Sequence, residues 1–251
     1  MESRAEVDRL REVYQRYAAR GFGDSKWSNS NPGNQAIQGE RERKIRELLE
    51  DSGFFPLADR RILDVGCGTG EQLGMFVDWG AKPENLFGID LIPERIQTAQ
   101  QNFPRLTFQL ANAESLPFQE CSFELVAAFT VFTSILSRRM AANICAEISR
   151  VLAPGGGVLW YDFRMNNPFN KHVRGVSRKR IESLFPGFNL RLEAISLLPP
   201  LARRLGTYTD RLYKPLGSLP FLKTHLAGLL TKPWGPPVDK SCSKPLPTRG
   251  L

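Results

Sequence analysis

The chain has 251 residues, 41% hydrophobic and 24% charged, enough to bury a full core in one α/β domain with additions. Its opening, Met1-Glu2-Ser3-Arg4, is charged, and no apolar run approaches the roughly 20 residues of a membrane span. A secretory signal and a transmembrane helix are therefore not expected, and a cytoplasmic protein is.

The net charge of +8 is uneven, since residues 164–251 hold 16 Lys and Arg against 4 Asp and Glu while residues 1–163 hold 18 against 22. A basic third of this kind suits an anionic small-molecule acceptor, a phosphate-bearing lipid surface or nucleic acid, ordinary solubility charge being the alternative. Cys67, Cys121, Cys145 and Cys242 are scattered without C-x-x-C spacing, which argues against a zinc site and a disulfide framework, and no metal is expected.

In chain order, Val7, Leu10, Val13, Tyr14 and Tyr17 recur at helical spacing and predict a helix over residues 3–20, closed by Gly21-Phe22-Gly23. Trp27 to Asn34 is rich in turn formers and reads as a loop able to fold over a ligand, with a second helix from about Gln38 to Asp51. From Arg61 apolar runs at 62–65, 86–89, 106–110, 125–129 and 158–161 alternate with helical stretches. That pattern predicts a Rossmann-like α/β fold, a mostly parallel sheet with helices on both faces.

A helix over about 138–151 runs into Leu152-Ala153-Pro154-Gly155-Gly156-Gly157, expected to force a sharp turn. A short helix at 177–184 and a strand at about 190–198 follow. The expected organisation is an N-terminal helical segment and lid over 1–56, a core over 57–198, a cap insertion over 199–223, a last strand at an edge over 224–233 and a disordered tail over 234–251.

The Leu63-Asp64-Val65-Gly66-Cys67-Gly68-Thr69-Gly70 stretch ends a strand in spaced glycines before a helix, so backbone can approach a nucleoside cofactor there. A dinucleotide fingerprint needs glycine at position 71, where Glu71 would repel a pyrophosphate. Asp64 suits a cationic amino-acid head, and Asp90, about twenty residues on, suits ribose hydroxyls or, alternatively, caps the helix at Pro93.

These residues, with Gly88-Ile89-Asp90, Asn112-Ala113-Glu114-Ser115-Leu116-Pro117-Phe118, Ser122-Phe123-Glu124-Leu125-Val126 and Arg150-Val151-Leu152-Ala153-Pro154-Gly155-Gly156, resemble successive motifs of the class I methyltransferases, closest to the small-molecule, type 11 group that includes quinone-biosynthesis enzymes. The resemblance is dense from Ile62 to Asp162. It implies a seven-stranded sheet with an antiparallel last strand and S-adenosylmethionine as methyl donor, yielding S-adenosylhomocysteine.

Carried over by position, it places Gly66, Cys67, Gly68 and Gly70 at the methionine part, Asp90 at the ribose, Leu91 on one face of the adenine, Asn112, Ala113 and Glu114 near its edge, and Phe129 beside the cofactor. Asn112 stands where the family usually has aspartate; its amide oxygen can still accept from the adenine amino group. The N-terminal helix of the family often closes the pocket, making Tyr14, Tyr17 and Trp27 candidates, with core packing as the alternative.

Candidate acceptor residues lie past the fourth and fifth strands: Thr130 and Phe132, then Asp162, Arg164, Asn166, Asn167, His172 and Arg174. His172 is a candidate general base, Asp162 a base or its orienter, and Arg164 and Arg174 partners for a phosphate or carboxylate, surface ion pairing being the alternative. Base-modifying enzymes of the class carry an Asx-Pro-Pro-aromatic or Pro-Cys loop after the fourth strand; Phe129-Thr130-Val131-Phe132 is neither, so nucleic acid is not expected as partner. The 199–222 stretch, mixing Leu, Pro and Arg, reads as a cap for an amphiphilic or phosphorylated acceptor or as a peripheral membrane contact, packing on the sheet being the alternative. Methyl transfer to a sugar or glycan intermediate, to a quinone or phenol, or a non-catalytic scaffold are the functions this leaves open.

Overall fold

The computed structural model describes residues 2–19, 28 and 30–234, so Trp27, Cys242 and the tail beyond Trp234 lie outside the described residues. Helices α1 (Glu2–Ala19) and α2 (Pro32–Asp51) precede the sheet. The second starts six residues before its apolar periodicity does, because the Asn31 side chain accepts from the backbone of Gly33 and Asn34 and Pro32 occupies the first turn.

From Ile62 the chain alternates β1 (Ile62–Val65), α3 (Glu71–Asp78), β2 (Leu86–Asp90), α4 (Pro93–Asn102), β3 (Thr107–Leu110), β4 (Phe123–Phe129), α5 (Arg138–Val151) and β5 (Leu152–Phe163). It continues through α6 (Arg178–Leu184), β6 (Asn189–Leu197), α7 (Pro199–Arg204), α8 (Thr209–Gly217) and β7 (Lys223–Thr231). The seven strands form one sheet in the order β3-β2-β1-β4-β5-β7-β6, parallel throughout except for β7, which runs antiparallel to both neighbours. The switch between β1 and β4 puts the carboxyl ends of β1, β2 and β4 around one crevice, where open α/β sheets bind ligands.

Two expectations are corrected here. The last strand is not at an edge: β7 lies between β5 and β6, which is why all its interior residues are buried, and β6 is the outer strand. The expected turn at Pro154-Gly155-Gly156-Gly157 is present, but as a bulge inside the sheet: strand β5 already begins at Leu152, Gly155 holds φ +73°, and the register against β4 jumps from Leu152 opposite Phe123 to Gly157 opposite Leu125, with Gly155 N bonded to Lys232 O (3.1 Å) and Lys232 N to Gly156 O (2.9 Å). Cys121 is disulfide-bonded, contrary to the expectation from spacing, while Cys67 and Cys145 are free and buried.

Alternation along the strands divides the core. Leu63, Val65, Val126, Ala128, Val158 and Trp160 face α5 and α1, and Ile62, Leu125, Ala127, Leu159 and Tyr161 face α2 and α3. A third, smaller cluster of Ile37, Leu197, Ala202 and Tyr213 seats the α7–α8 cap on α2 and β6. That seat is tight: a Cβ on Gly33 would stand 2.1 Å from the backbone oxygen of Ala202.

Candidate active site

After Val65 the backbone turns through Gly66, Gly68 and Gly70 at φ of +73, +56 and +96°, a region that side chains with a Cβ disfavour. Gly66 N and Cys67 N both donate to Ile89 O (2.8 and 2.9 Å), tying the loop to β2. Gly68 N donates to Asp90 Oδ2 (3.0 Å), while Asp90 Oδ1 accepts from Ile92 N (2.9 Å). One buried carboxylate therefore fixes both the glycine loop and the start of α4. Gly70 serves packing, since a Cβ there would meet the Phe103 and Phe108 rings at 2.8 and 2.9 Å.

Beside this loop lies a cavity of about 110 Å³. Of the residues expected at the cofactor, Gly66, Asp90, Leu91, Asn112, Ala113 and Phe129 line it; Asp64, Cys67, Gly68, Gly70, Glu114 and Tyr17 do not. Cys67 is buried behind the loop, its thiol pushed up by desolvation and by Asp64 and Asp90. Glu114 is engaged elsewhere, accepting from Ser3 Oγ and Asn143 Nδ2 (both 2.8 Å), which joins α1 to α5. Asn112 Oδ1 accepts from Glu114 N (3.0 Å) and shapes the loop after β3.

The tyrosine that closes the cavity is Tyr14. Its hydroxyl is 3.0 Å from Ser134 Oγ, and Tyr17 packs edge-on to its ring and accepts from Asn170 Nδ2. Arg95, one turn into α4, was missed. Its guanidinium lies 4.2 Å from the Tyr14 ring centroid, and its Nη1 stands 3.9 Å from Asp90 Oδ2. Arg9 anchors α1 further, donating to Ser134 O (2.6 Å) and to Glu6, whose carboxylate accepts from Leu136 N (2.6 Å). These contacts bridge more than a hundred residues of sequence, beyond the reach of local periodicity.

Asp64 sits one residue from the loop on the α2 face, 1% exposed, with its Oδ2 buried and unpartnered. Desolvation first, then Asp90 and Glu71, pushes its carboxyl well above the ordinary range, and Arg41 of α2 opposes them. Arg41 lies over the Phe129 and Tyr161 rings (5.8 and 5.5 Å), its own Nε buried without a partner. An orphaned carboxylate oxygen and an orphaned guanidinium nitrogen, electrostatically coupled, match the two charges of an amino-acid zwitterion, which fits the head of S-adenosylmethionine. Arg41 was also missed, because α2 carries eight other basic or acidic positions and nothing local distinguishes one.

At the carboxyl ends of β4 and β5, beside the amino end of β7, the expected acceptor residues part company. Asp162 is fully buried, accepting from Thr133 N (2.9 Å), Phe163 N (2.8 Å) and the Thr133 hydroxyl, and desolvation pushes its carboxyl up to about 6. It does not line the cavity; it clamps the turn after β4, whose Thr130, Val131 and Ser134 do. Thr130 holds φ +57°, a strained setting for a β-branched residue, at the cavity edge. Phe132 is core, stacked on Trp160.

The side chains of Asn166 and Asn167 accept from Gly175 N and Phe169 N, shaping the loop after β5, and Arg174 N donates to Thr133 O. The backbone of Arg164 donates to Thr224 O (2.9 Å). His172, in the same loop, stands off the cavity, its imidazole lowered by desolvation and by Lys171, Arg16 and Arg9.

The other histidine does not line the cavity either. His225 is 2% exposed and stacks on Tyr161 at 4.6 Å and 5°, and Tyr161 in turn packs edge-on to the Phe129 that lines the cavity. Thr224 Oγ1 lies 3.2 Å from Ser196 O and 3.0 Å from His225 Nδ1. Burial first and Arg41 second push the His225 ring down to about 3, keeping it neutral. Tyr161, pushed up to about 12 by burial, shares a hydrogen bond with Ser196 Oγ (3.0 Å). Glu40 Oε2 accepts from Ser196 N (3.0 Å) and Tyr213 Oη (2.7 Å), which ties the cap to this edge. Among the described residues no group of three or more His, Cys, Asp or Glu is placed to hold a metal.

Residues 62–156 match the model of a methyltransferase domain. Over 119 residues, 45% of this chain and 41% of the relative, the sequence is 30% identical to the O-methyltransferase cnsE of Penicillium expansum. It is 28% identical over 109 residues, 42% of this chain and 45% of the relative, to the ubiquinone/menaquinone biosynthesis C-methyltransferase of Campylobacter jejuni. It is 30% identical over 138 residues, 51% and 47%, to the phthiotriol/phenolphthiotriol dimycocerosates methyltransferase of Mycobacterium leprae. The chain thus spans less than half the length of these relatives.

The fold is shared with an S-adenosylmethionine-dependent methyltransferase from Mesorhizobium loti (TM-score 0.57, 17% identity, 76% of this chain and 96% of that one) and with the [4+2]-cyclase SpnF (0.57, 19%, 77% and 82%). With the glycine loop, Asp90 and the matched sequence in one place, residues 62–156 form a methyltransferase domain, and the chain is similar in sequence to O- and C-methyltransferases that act on small molecules.

Proposed function

We propose that the protein transfers the methyl group of S-adenosylmethionine to a hydroxyl of a small-molecule acceptor, and that a sugar or glycan intermediate bearing a phosphate is the class its basic C-terminal third favours. The observation that carries the cofactor half is the glycine loop fixed by Asp90 at a cavity lined by Gly66, Asp90, Leu91, Asn112 and Ala113, with the orphaned Asp64 Oδ2 and Arg41 Nε buried outside its lining. Asp90 would hold the ribose hydroxyls, Leu91 an adenine face, Asn112 and Ala113 its edge, and Asp64 and Arg41 the ammonium and carboxylate. When bound, the cofactor supplies an electrophilic methyl for in-line displacement, which leaves alignment and water exclusion to the protein.

On the acceptor side Thr130, Val131 and Ser134 line the cavity, Asp162 acts through the Thr133 turn, and His172 is the candidate base. His225, buried outside the lining, stays neutral within the Tyr161–Ser196 network.

A second reading, methylation of a quinone or phenol, is favoured by the relatives named for ubiquinone/menaquinone and phenolphthiotriol compounds. A non-catalytic cofactor-binding scaffold is the third.

Titration calorimetry tests the cofactor assignment. The wild type binds S-adenosylmethionine and Asp90→Ala loses on the order of a hundredfold in affinity, two charge-assisted bonds being removed; a folded wild type that does not bind overturns the reading. Release of S-adenosylhomocysteine over a panel of sugar phosphates, phenols and lipid-linked alcohols then separates the readings, and none with any acceptor leaves the scaffold.

A further inference from the structure

The segment between β6 and β7 uses its inward side fully. Ala202 and Tyr213 are buried against Ile37 and Leu197, and Leu201, Leu205, Leu216 and Leu222 pack around them. Large apolar groups nevertheless remain on the outside: Phe221 is 70% exposed, Tyr208 65%, and Leu212 and Leu219 38% each. Singly exposed apolar residues are ordinary on a protein surface, but four within fourteen positions of one small cap are a patch. The same 25 residues, 199–223, hold five basic side chains against the single acid Asp210, and Arg204, Arg211 and Lys214 are exposed among the apolar groups.

We propose that the α7–α8 cap is an interfacial docking surface for an anionic lipid bilayer, with Tyr208, Leu212, Leu219 and Phe221 entering the headgroup region and Arg204, Arg211 and Lys214 meeting lipid phosphates. Basic groups interleaved with aromatic and aliphatic ones on a short helical element are the composition that lies in a membrane interface. Nucleic acid explains the charges less well, because the leucines would be left in water against a phosphate backbone. No helix among the described residues is long and apolar enough to cross a membrane, so the contact is peripheral. The surface is wired to the acceptor edge: Glu40 joins Tyr213 of α8 to Ser196, and Ser196 joins Tyr161, on which His225 stacks. Docking would therefore set the edge that receives the acceptor against the lipid surface.

Co-sedimentation with vesicles tests this without any methylation assay. The full chain binds phosphatidylcholine vesicles containing phosphatidylglycerol at least tenfold more tightly than phosphatidylcholine alone, and the difference shrinks as salt is raised. Replacing the three cations together, Arg204→Glu, Arg211→Glu and Lys214→Glu, loses roughly a hundredfold, while Phe221→Ser loses severalfold at every salt concentration. All four positions are exposed, and melting temperatures verify that the variants are folded. Equal binding to neutral and anionic vesicles, wild-type binding by the triple variant, or tighter binding to single-stranded RNA than to anionic vesicles would each overturn the proposal. None of these outcomes depends on whether the chain binds S-adenosylmethionine.

Discussion

The two sides of the sheet crevice are built on different plans. On the cofactor side, between Ile62 and Ala113, the polar atoms are held by neighbours within about twenty residues: Gly68 by Asp90, Ile92 by Asp90, Gly66 by Ile89. On the acceptor side, groups from four distant stretches meet, as in the chain of contacts from Tyr213 and Glu40 through Ser196 to Tyr161 and His225. A locally closed network defines its ligand by itself, whereas a network closed across the chain varies with whatever cap is inserted. This difference explains why the donor is evident and the acceptor is a matter of class.

Three measurements would break or sharpen that contrast. The largest effect is expected for Arg41→Met, a long-range group assigned to the amino-acid head of the cofactor. Affinity for S-adenosylmethionine should fall ten- to a hundredfold, the loss of a charge-assisted contact, while 5′-methylthioadenosine, which lacks the amino-acid head, binds as before. Equal losses for both ligands would move Arg41 out of the site and leave the cofactor side wholly local.

Next in size is Gly33→Ala, whose methyl group cannot fit against the Ala202 carbonyl. It should cost about 1–3 kcal/mol of stability by chemical denaturation and loosen the cap, with S-adenosylmethionine affinity unchanged. If cofactor binding fell in parallel, the two sides would be one unit.

The smallest concerns Asp162. Its carboxyl is raised in the folded chain to about 6 from an unfolded value of 3.8, so the folded state holds the extra proton and this group's contribution declines as pH rises between those values. From pH 5 to 7 the wild type should lose about 1 kcal/mol relative to Asp162→Asn, read as the difference between their melting curves. Asp64 is raised too, but it is common to both proteins and cancels. A flat difference would mean that Asp162 is ionised throughout and better solvated than its burial implies.

The sequence made the local plan legible. Strands β1 to β4 fall within two residues of their apolar runs, and the glycine loop and Asp90 are where spacing put them. What could not be read was whatever long-range pairing decides. The Pro154–Gly157 run turns as its composition suggests but does so as a bulge within β5, where Lys232 pairs with it, and β7 reads as a short edge strand although two neighbours flank it. Tyr14 was one of three aromatic candidates until the position of Arg95 singled it out, and Arg41 carries no mark among the charges of α2. The burial of His225 against Tyr161 and Thr224 likewise emerges only from the folded pairing of β7 with β5 and β6.

Helix α1 has a consequence for the order in which the molecule is assembled. It precedes the sheet in the chain, yet most of the polar groups that seat it, Glu114, Ser134 and Leu136, lie more than a hundred residues on, with Arg95 the nearer exception. Docking the wall formed by Leu10 and Tyr14 therefore waits on the chain as far as the turn after β4, and closing that span carries the entropy of a long loop. That wall is held by the side chains of α1 and not by strand pairing, so the cavity owes one of its sides to contacts the sheet itself does not need.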